Sequence, residues 1–443
     1  MKKTGLFFAG AFAVLAFVMG TTLHAAQIPE QVVEKALRIL EDDYLYTTAS
    51  PEECRNDIEA MLSWELAYEQ GENPSSFSHE MQCLDPYSGI FTPRITRERT
   101  VNVEGLFGGI GLSFKKESSD SNRALVVEVF EGNPAEKTGV RAGDILLRAR
   151  DDGEENFVEF GDFNAMPEKL RGQVGSKVYL IVERDGVELA LPVMTREVIV
   201  IKAVKAKVFY GFGYVSISSF TERVADELDD ALISFEKQGI SRVVLDLRGN
   251  PGGILESVRE MLYSFSSRPE DIMLTTRSRH DEVVSSIRSP YEGCKHIAPS
   301  PCLPFAYLAD GSVKMPGRFE NLTLVILING HSASASEVFA GTMKDWAAKA
   351  GKTMIVGQNS FGKGVVQAII SLEDGFSLSL TIAEYLVGNA KTPVHGIGIS
   401  PDYIVEDTRQ FSEETHTTED TLTDKDEQFL AAVFALFLLS PVP

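Results

Sequence analysis

The sequence predicts a multidomain α/β protein, and three observations point to that class. Mostly apolar runs with the length of buried strands, at 243–248, 322–328 and 353–357, are separated by segments with helical spacing. Ahead of them, residues 101–197 carry short β-type runs divided by Gly-rich turns. Ahead of that block, apolar residues within 27–72 recur at helical spacing. We therefore expect a helical N-terminal part, a β-rich module and an α/β core, in that order.

Composition and charge narrow the range of partners. The chain has 443 residues, enough for two to four domains, and a formal net charge of −22. A strongly acidic chain is repelled by other polyanions, so nucleic acid is excluded as a partner and an anionic membrane surface is disfavoured.

The first 26 residues have the pattern of a secretory signal. Lys2 and Lys3 precede an apolar segment at 6–19, and small residues allow cleavage after Ala25 or Ala26. The apolar segment is shorter than the roughly 20 residues that a membrane anchor needs. We expect a periplasmic or secreted protein once the signal is removed.

Export places the four cysteines in an oxidising compartment, where three pairings are open. We expect Cys294 to bridge Cys302, because they lie close together in a Pro-rich stretch, and Cys54 to bridge Cys83. A metal site at Cys294, His296 and Cys302 is the alternative. It offers only three ligands at irregular spacing, so we expect no metal.

Two parts of the chain precede the core. Residues 27–100 are expected to form a small helical domain, in which LDPYSGIF at 84–91 is a Pro-centred turn before a strand. The β-rich module at 101–197 contains a hairpin centred on Asp185 and Gly186. Neither N-terminal helix carries an obvious chemical group.

The α/β core is expected over residues 198–410. Helices at 254–265 and 336–351 alternate with its strands. Residues 411–443 begin with a polar linker and end in an apolar helix at 426–439, which is too short to cross a bilayer.

A cluster of small hydroxyl residues follows the strand at 322–328. Ser332, Ser334 and Ser336 alternate with alanines at the start of a helix, where a nucleophile meets the positive end of the helix dipole. The amide of Ala335 is placed to donate to an oxyanion. The alternative is that the serines only cap the helix.

Lys363 lies between Gly362 and Gly364, and Gln367 follows four positions later. A lysine is a general base only when neutral, which requires its pKa to fall from about 10.4 toward about 7–8. Burial among apolar side chains lowers the pKa of an amine. The apolar candidates nearby are Ile355, Phe361, Val365 and Val366. On a strand, Gln367 shares a face with Lys363 and orients its amine.

A Gly-rich turn, DLRGNPGG at 246–253, follows another buried strand. The carboxyl end of a strand is a usual place for a site in α/β sheets, and the turn exposes backbone N–H groups. Gly252 or Gly253 is therefore a candidate for the second oxyanion donor, beside Ala335. The alternative is an ordinary strand–turn–helix junction. The turn lacks the Gly-Lys-Ser/Thr ending of a phosphate-binding loop.

These segments together resemble the carboxyl-terminal processing peptidases, also called tail-specific proteases. The motifs that carry the resemblance appear in one order along the chain: LDPYSGIF, FGGIGLSF, GDILL, LDLRGNPGG, SASASE, FGKG and GIGISPDYIV. The resemblance implies that Ser334 is the nucleophile, Lys363 the general base and Gln367 the residue that orients the lysine. It also implies a PDZ-like domain at 101–197 and a serine protease core of the ClpP/crotonase type at 198–410.

The implied substrate is a protein with a free, apolar C-terminal tail. A PDZ-like domain adds such a tail to a strand edge, and a Gly-rich turn presents N–H groups to the terminal carboxylate. The expected peptide-binding residues are Gly108, Gly109, Ile110, Gly111 and Leu112. The implied reaction is amide hydrolysis through an acyl-enzyme, with no cofactor.

Two other functions remain open from the sequence. A serine enzyme that uses a histidine base would draw on His331 or His395. A binding or scaffold protein on the same fold would have no turnover. The sequence also leaves open whether the protein forms a homo-oligomer, needs an adaptor protein, or is activated or inhibited by its PDZ-like domain.

Overall fold

The computed structural model describes most of the chain after residue 28. The described residues are 29–46, 50–69, 83–104, 106–118, 121–160, 163, 166–268, 271–279, 285–287, 315–350, 352–406 and 426–439. The expected signal segment, Cys294, His296, Cys302 and the polar linker at 411–425 lie outside them. None of the described helices combines the length and hydropathy of a membrane span.

The N-terminal region is helical, as the sequence predicts. Its elements are α1 (Glu30–Asp43), α2 (Pro51–Glu69), β1 (Gly89–Phe91) and α3 (Pro93–Glu104). The apolar face of α1 is buried. A disulfide joins Cys54 on α2 to Cys83, just ahead of the turn that leads into β1. This is one of the two bridges expected from the sequence.

The β-rich module follows. Its elements are β2 (Leu106–Gly109), β3 (Leu112–Lys116), β4 (Ala124–Val129), α4 (Pro134–Lys137), β5 (Ile145–Asp151), β6 (Val158–Glu159), α5 (Met166–Leu170), β7 (Lys177–Arg184), β8 (Val187–Ala190), β9 (Met194–Thr195) and β10 (Glu197–Val200). The main sheet runs β3-β4-β5-β7-β8, with β3 at one edge, and β2 pairs separately with β10. The predicted hairpin turn is confirmed, because Asp185 and Gly186 both have positive φ, at 51° and 76°.

The core is an α/β unit, and its first sheet has the alternation read from the sequence. The elements are β11 (Val204–Phe209), β12 (Phe212–Ile217), α6 (Val224–Lys237), β13 (Arg242–Asp246), α7 (Leu255–Tyr263), β14 (Leu274–Ser278), β15 (Ser285–Ile287), β16 (Thr323–Ile328), α8 (Ala335–Ala350), β17 (Thr353–Gly357), β18 (Val365–Ser371), β19 (Ser377–Val387), β20 (Thr392–Pro393) and β21 (Tyr403–Ile404). The first sheet runs β11-β12-β13-β16-β17-β21 and is parallel from β12 onward. Its central strands β13 and β16 are buried apart from Arg242, which explains why their interiors are apolar.

A second sheet is built around the long strand β19. The strands β1, β14 and β18 pair with it antiparallel. Because β1 comes from the N-terminal region, that region completes a sheet of the core. Its helices also share one hydrophobic cluster with Leu378 and Leu380 of β19. The helices expected as a domain of their own thus pack on the α/β core over a common interior.

The C-terminal helix α9 (Glu427–Leu439) packs on the first sheet. At its start, Asp426 pairs with Arg248, which also pairs with Asp246 at the end of β13. All three side chains are at least 95% buried. This network ties the C-terminal helix to the Gly-rich turn that follows β13.

Candidate active site

The three serines after β16 have different surroundings. Ser332 is buried, and its hydroxyl donates to the carbonyl of Leu247 at 2.8 Å. Ser336 is buried as well, and its hydroxyl donates to the carbonyl of Asn250 at 2.9 Å. Both therefore tie the serine segment to the neighbouring turn. The hydroxyl of Ser334 has no hydrogen-bond partner among the described residues, which makes it the serine available for chemistry.

Ser334 lies where the chain enters α8. Its φ is 54°, a left-handed conformation that a side chain with a Cβ adopts at a cost of about 1–2 kcal/mol. Its N–H donates to Oε2 of Glu337 at 2.8 Å, and its carbonyl accepts the N–H of Glu337 at 2.8 Å. The first contact is one half of a capping box. A strained serine at a helix start is typical of an exposed nucleophile.

Glu337 joins the serine segment to the lysine segment. It is fully buried. Its Oε2 also accepts the N–H of Lys363 at 2.9 Å, while Oε1 accepts the N–H of Gly362 and the hydroxyl of Ser360, both at 2.6 Å. With the N–H of Ser334, one carboxylate therefore receives four donors, which is how a buried charge is stabilised.

Tyr385 of β19 makes a second link between the same two segments. Its hydroxyl donates to the carbonyl of Lys363 at 2.6 Å and also lies 3.2 Å from the carbonyl of Ser334. Burial raises the pKa of Tyr385 well above its ordinary value, so the phenol keeps the proton that it donates. The backbones of Ser334 and Lys363 are thus fixed to each other from two sides.

The amine of Lys363 is half-buried beside this anchor. Its Nζ donates to Oε1 of Gln367 at 2.9 Å, which is the contact that the sequence predicts. Burial lowers the pKa of the amine, the positive charge of Arg99 lowers it further, and Asp85 and Glu337 act in the opposite direction. A lowered pKa favours the neutral amine, the form that accepts a proton.

Simple strand alternation does not produce the contact between Lys363 and Gln367. Lys363 precedes β18, and the register of that strand shifts between Val366 and Gln367. The amide is oriented from the other side, because its Nε2 donates to the carbonyl of Tyr87. With its nitrogen engaged there, the amide turns its oxygen toward the amine.

The surroundings of the amine differ from the sequence expectation in one respect. Phe361, one of the apolar neighbours proposed to bury it, is 56% exposed. The ring of Tyr87, from the LDPYSGIF turn, lies over the amine instead, with 5.2 Å between Nζ and the ring centre. That turn therefore contributes to the site, although the sequence predicted only a bend before a strand.

The Gly-rich turn after β13 packs directly against Ser334. A Cβ on Gly252 would lie 2.8 Å from the Cβ of Ser334 and 2.9 Å from the nitrogen of Ala335. The N–H of Gly252 donates to Oδ1 of Asn250 at 2.9 Å, so it is not free for an oxyanion. The N–H groups of Ala335 and Gly253 have no acceptor among the described residues. Of the two glycine candidates, Gly253 is thus the one with a free donor.

The serine hydroxyl and the lysine amine are not hydrogen-bonded to each other, although the backbones that carry them are held together. Within the described part of the chain, Nζ of Lys363 bonds Gln367 and Oγ of Ser334 bonds no group. The backbone N–H groups of both residues donate to Oε2 of Glu337, at 2.8 and 2.9 Å. The two backbone nitrogens therefore lie no further apart than the sum of these distances.

The two histidines of the alternative mechanism lie at different depths. His331 is exposed, and its N–H donates to Oδ1 of Asn329. His395 is half-buried and packs against Gly364, whose Cβ would lie 2.2 Å from the backbone nitrogen of His395. Its ring stacks on Tyr46 at 6.4 Å between centres. Neither histidine is hydrogen-bonded to Ser334.

The predicted tail-binding loop precedes the edge strand β3. The N–H groups of Ile110 and Gly111 have no acceptor among the described residues, and Gly111 has a φ of 81°. Gly108 and Gly109 are instead paired with β10. The side chain of Ile110 is 98% buried in the module, so it does not line an open pocket, whereas Leu112 is half-buried.

Sequence analysis missed four residues of the site: Tyr87, Arg99, Glu337 and Tyr385. A signal existed for Glu337, because residues 334–337 read Ser-Ala-Ser-Glu, the spacing of a capping box. The other three reach the site from elements distant in sequence, and no local pattern marks them.

Comparison with known proteins agrees with this architecture. Residues 211–405 match the model of peptidase family S41, and residues 108–195 match the model of a PDZ domain. The carboxy-terminal-processing protease of Bartonella bacilliformis is 32% identical over 328 residues, which are 73% of this chain and 67% of that protein. A probable CtpA-like serine protease of Staphylococcus saprophyticus is 28% identical over 85% of this chain and 65% of its own length.

Among solved structures, the photosystem II D1 C-terminal processing protease is 22% identical over 86% of this chain and 94% of its own, with a TM-score of 0.43. The chain spans about two thirds of the length of the two curated relatives. The PDZ match precedes the peptidase match along the chain, and both relatives are named as proteases. The chain belongs to peptidase family S41, with a PDZ domain ahead of the peptidase core.

Proposed function

We propose that this protein is an exported serine endopeptidase that binds the free C-terminal tail of a protein and cleaves the protein through an acyl-enzyme. One observation carries the proposal: the N–H groups of Ser334 and Lys363 share one buried oxygen of Glu337, while the amine of Lys363 is half-buried with a lowered pKa. A serine with a free hydroxyl beside a lysine that favours its neutral form is suited to base-activated attack.

The first half of the reaction forms an ester. The Ser334 side chain rotates toward Lys363, whose neutral amine takes the hydroxyl proton as Oγ attacks the scissile carbonyl carbon. The carbonyl oxygen becomes an oxyanion, which accepts from the N–H of Ala335 and of Gly253. The C–N bond then breaks, and protonated Lys363 gives its proton to the leaving amine.

The second half releases the product. Lys363, neutral again, takes a proton from a water that attacks the ester carbonyl. The C–O bond to Ser334 breaks, and the proton returns to the serine oxygen. Gln367 holds the amine by its oxygen throughout, since its own N–H is committed to Tyr87.

Tail recognition is assigned to the PDZ domain. The open edge of β3 pairs with the extended tail, and the free N–H groups of Ile110 and Gly111 receive the terminal carboxylate. We assign export and a periplasmic or secreted location to the signal at residues 1–26. The mature chain then divides into an N-terminal part at 27–100, the PDZ domain at 101–197, the core at 198–410 and the C-terminal segment at 411–443.

A model protein with an apolar C-terminal tail tests the proposal. Wild type is expected to cleave it when the terminal carboxylate is free, and more slowly when the carboxylate is amidated. Ser334→Ala is expected to show no cleavage. Cleavage retained in Ser334→Ala contradicts the proposed function, and cleavage retained in Lys363→Ala supports the histidine alternative. Absence of turnover in wild type, with the tail still bound, supports the scaffold alternative.

A further inference from the structure

A short loop of the N-terminal region, residues 83–88, reaches the amine of Lys363. The carbonyl of Tyr87 accepts Nε2 of Gln367, and the ring of Tyr87 lies 5.2 Å from Nζ of Lys363. Both contacts come from the N-terminal region and neither from a described residue of the peptidase core. The core therefore supplies the lysine and the glutamine, and the N-terminal region sets how they are presented.

Asp85 fixes the loop around Tyr87. Its Oδ1 accepts the N–H of Tyr87 at 2.7 Å, and its Oδ2 accepts the hydroxyls of Ser88 at 2.6 Å and of Tyr44 at 2.9 Å. The N–H of Asp85 in turn donates to the hydroxyl of Tyr44 at 2.6 Å. The loop is thus held by side chains on both the loop and the chain segment after α1.

The start of the loop is covalently tied to α2. Cys83 forms a disulfide with Cys54, and the buried carboxylate of Asp57 accepts the N–H of Cys83 at 2.7 Å and of Leu84 at 3.0 Å. Three residues separate this anchor from Tyr87. The disulfide and Asp57 thus fix the point at which the loop that carries Tyr87 begins.

We propose that Tyr87 is a positioning residue for the Ser334–Lys363 pair, and that the Cys54–Cys83 disulfide keeps it in place. Its carbonyl sets the orientation of the Gln367 amide, and its ring keeps water from the Lys363 amine. This inference rests on the proposed function and deepens it, because it makes the catalytic base depend on a bond in the N-terminal region.

The charges around the amine decide what loss of the ring does. Arg99 of α3 repels a proton on Lys363, while Asp85 of the loop and Glu337 of α8 attract one. The face of Tyr87 attracts a cation as well. Burial is nevertheless the largest effect on the pKa of Lys363, and it acts downward. Opening the site to water therefore raises the pKa of the amine and shifts it toward the charged form.

Chemical labelling of the amine tests the inference without relying on turnover. The purified full-length protein is labelled with trace acetic anhydride, which reacts with neutral amines, and acetylation of Lys363 is measured against pH by mass spectrometry. Tyr87→Ala is expected to move the labelling midpoint to higher pH. Tyr87→Phe is the matched control, because the Tyr87 hydroxyl has no partner among the described residues, and it is expected to match wild type.

The disulfide is tested in the same way. The double variant Cys54→Ala/Cys83→Ala is expected to shift the midpoint in the same direction as Tyr87→Ala. Cys294→Ala/Cys302→Ala, the other cysteine pair, is the control and is expected to leave it unchanged. A midpoint that stays at the wild-type value in both Tyr87→Ala and Cys54→Ala/Cys83→Ala, with wild-type circular dichroism, overturns the inference.

Peptidase assays then connect the amine to catalysis. The pH at which kcat/KM falls to half its maximum on the acid side is expected to shift by the same amount as the labelling midpoint. Tyr87→Ala should thus lose about tenfold at neutral pH and recover toward wild type at higher pH. A uniform loss at every pH indicates a merely structural role and overturns the inference. Wild-type protein without Ser334-dependent cleavage overturns the proposed function instead, whatever the labelling shows.

Discussion

The N–H groups of Ser334 and Lys363 donate to the same oxygen, Oε2 of Glu337, at 2.8 and 2.9 Å. The carboxylate belongs to the first turn of the helix that Ser334 caps, so helix start and lysine segment are joined at one point. The spacing of the proposed nucleophile and base is therefore set by a buried acid, and the acid has no part in the chemistry itself.

Glu337→Gln tests this anchor. Whichever way the new side-chain amide is oriented, its NH₂ group faces a backbone N–H that a carboxylate oxygen had accepted. Each buried donor left unpaired costs about 1–3 kcal/mol of stability. We expect a lower Tm and a fall in kcat of about 100-fold or more, because the serine and lysine segments separate. Thermal unfolding and peptidase kinetics provide the two measurements.

Glu227→Gln is the matched control for Glu337→Gln. Glu227 also accepts two backbone N–H groups, from Ala203 and Val204, but has no hydrogen bond to the described residues of the site. The Glu227→Gln variant is expected to keep the wild-type kcat, whether or not its Tm changes. An unchanged kcat in Glu337→Gln would show that the shared carboxylate does not set the geometry of the pair.

Lys363→Met separates stability from activity. We expect kcat to fall by about 10³ or more, since the general base is lost, while the Tm at pH 7 rises because a poorly solvated amine is removed.

The sign of the pH effect follows from the lowered pKa of Lys363 in the folded protein. The unfolded chain has a lysine pKa of about 10.4 and binds the proton more tightly than the folded chain does between the two values. Wild type should thus gain stability relative to Lys363→Met as pH rises through that window. A difference in unfolding free energy that is constant with pH would contradict the lowered pKa.

The same lowered pKa predicts the pH dependence of the reaction. The neutral amine is the active form, so kcat/KM should rise with pH and level off at a pH below the ordinary lysine value. The profile is measured with a short apolar-tailed peptide. A rate that follows an unperturbed lysine, still rising near pH 10, would contradict a buried base.

The serines should differ sharply when each is changed to alanine. Ser332→Ala leaves the buried N–H of Asn329 without its acceptor and removes one of the two donors to the carbonyl of Leu247, which keeps the N–H of Asn250. We therefore expect a loss of about 1–3 kcal/mol in unfolding free energy with cleavage retained. Ser334→Ala should lose cleavage with little change in stability. Ser334→Gly should be more stable than Ser334→Ala by about 1 kcal/mol, because glycine relieves the positive φ.

Gly252→Ala should disable the turn beside the nucleophile. The new methyl group would lie 2.7 Å from the carbonyl oxygen of Ala333 and 2.8 Å from the Cβ of Ser334, so the turn must move away. We expect kcat to fall by about 100-fold or more, the usual effect of losing one oxyanion donor. Gly249→Ala is the control in the same turn, since its φ is also positive but its Cβ meets nothing within 4 Å. Equal losses in both variants would point to backbone strain alone.

The sequence predicted the parallel sheet and the helices beside it because the interiors of buried strands such as Arg242–Asp246 and Thr323–Ile328 are apolar. It did not predict the second sheet around Ser377–Val387, whose pairing with Gly89–Phe91 joins segments almost 300 positions apart. A local sequence pattern does not indicate contacts between segments so far apart. For that reason the N-terminal helices were expected to form a separate domain rather than part of the core.

In the candidate site, too, contacts between neighbouring residues were predicted and contacts between distant segments were not. Lys363 and Gln367 lie four positions apart, so a local motif was enough to pair them, although Lys363 precedes the strand and the register shifts just before Gln367. Tyr87 contacts Gln367 across 280 positions, and nothing in the turn that holds it indicates an amide partner. Glu337 was within reach of sequence reasoning, since its spacing from Ser334 is that of a capping box.

The most direct test of the central claim is the rate at which Ser334 is acylated by a chromogenic ester of an apolar peptide, followed by intact mass and peptide mapping. We expect wild type to carry the acyl group on Ser334, and Lys363→Met to acylate slower by about 10³ or more at pH 8. An acyl group on any other residue, or acylation of Lys363→Met at the wild-type rate, would contradict the assignment of the lysine amine as the base that activates Ser334.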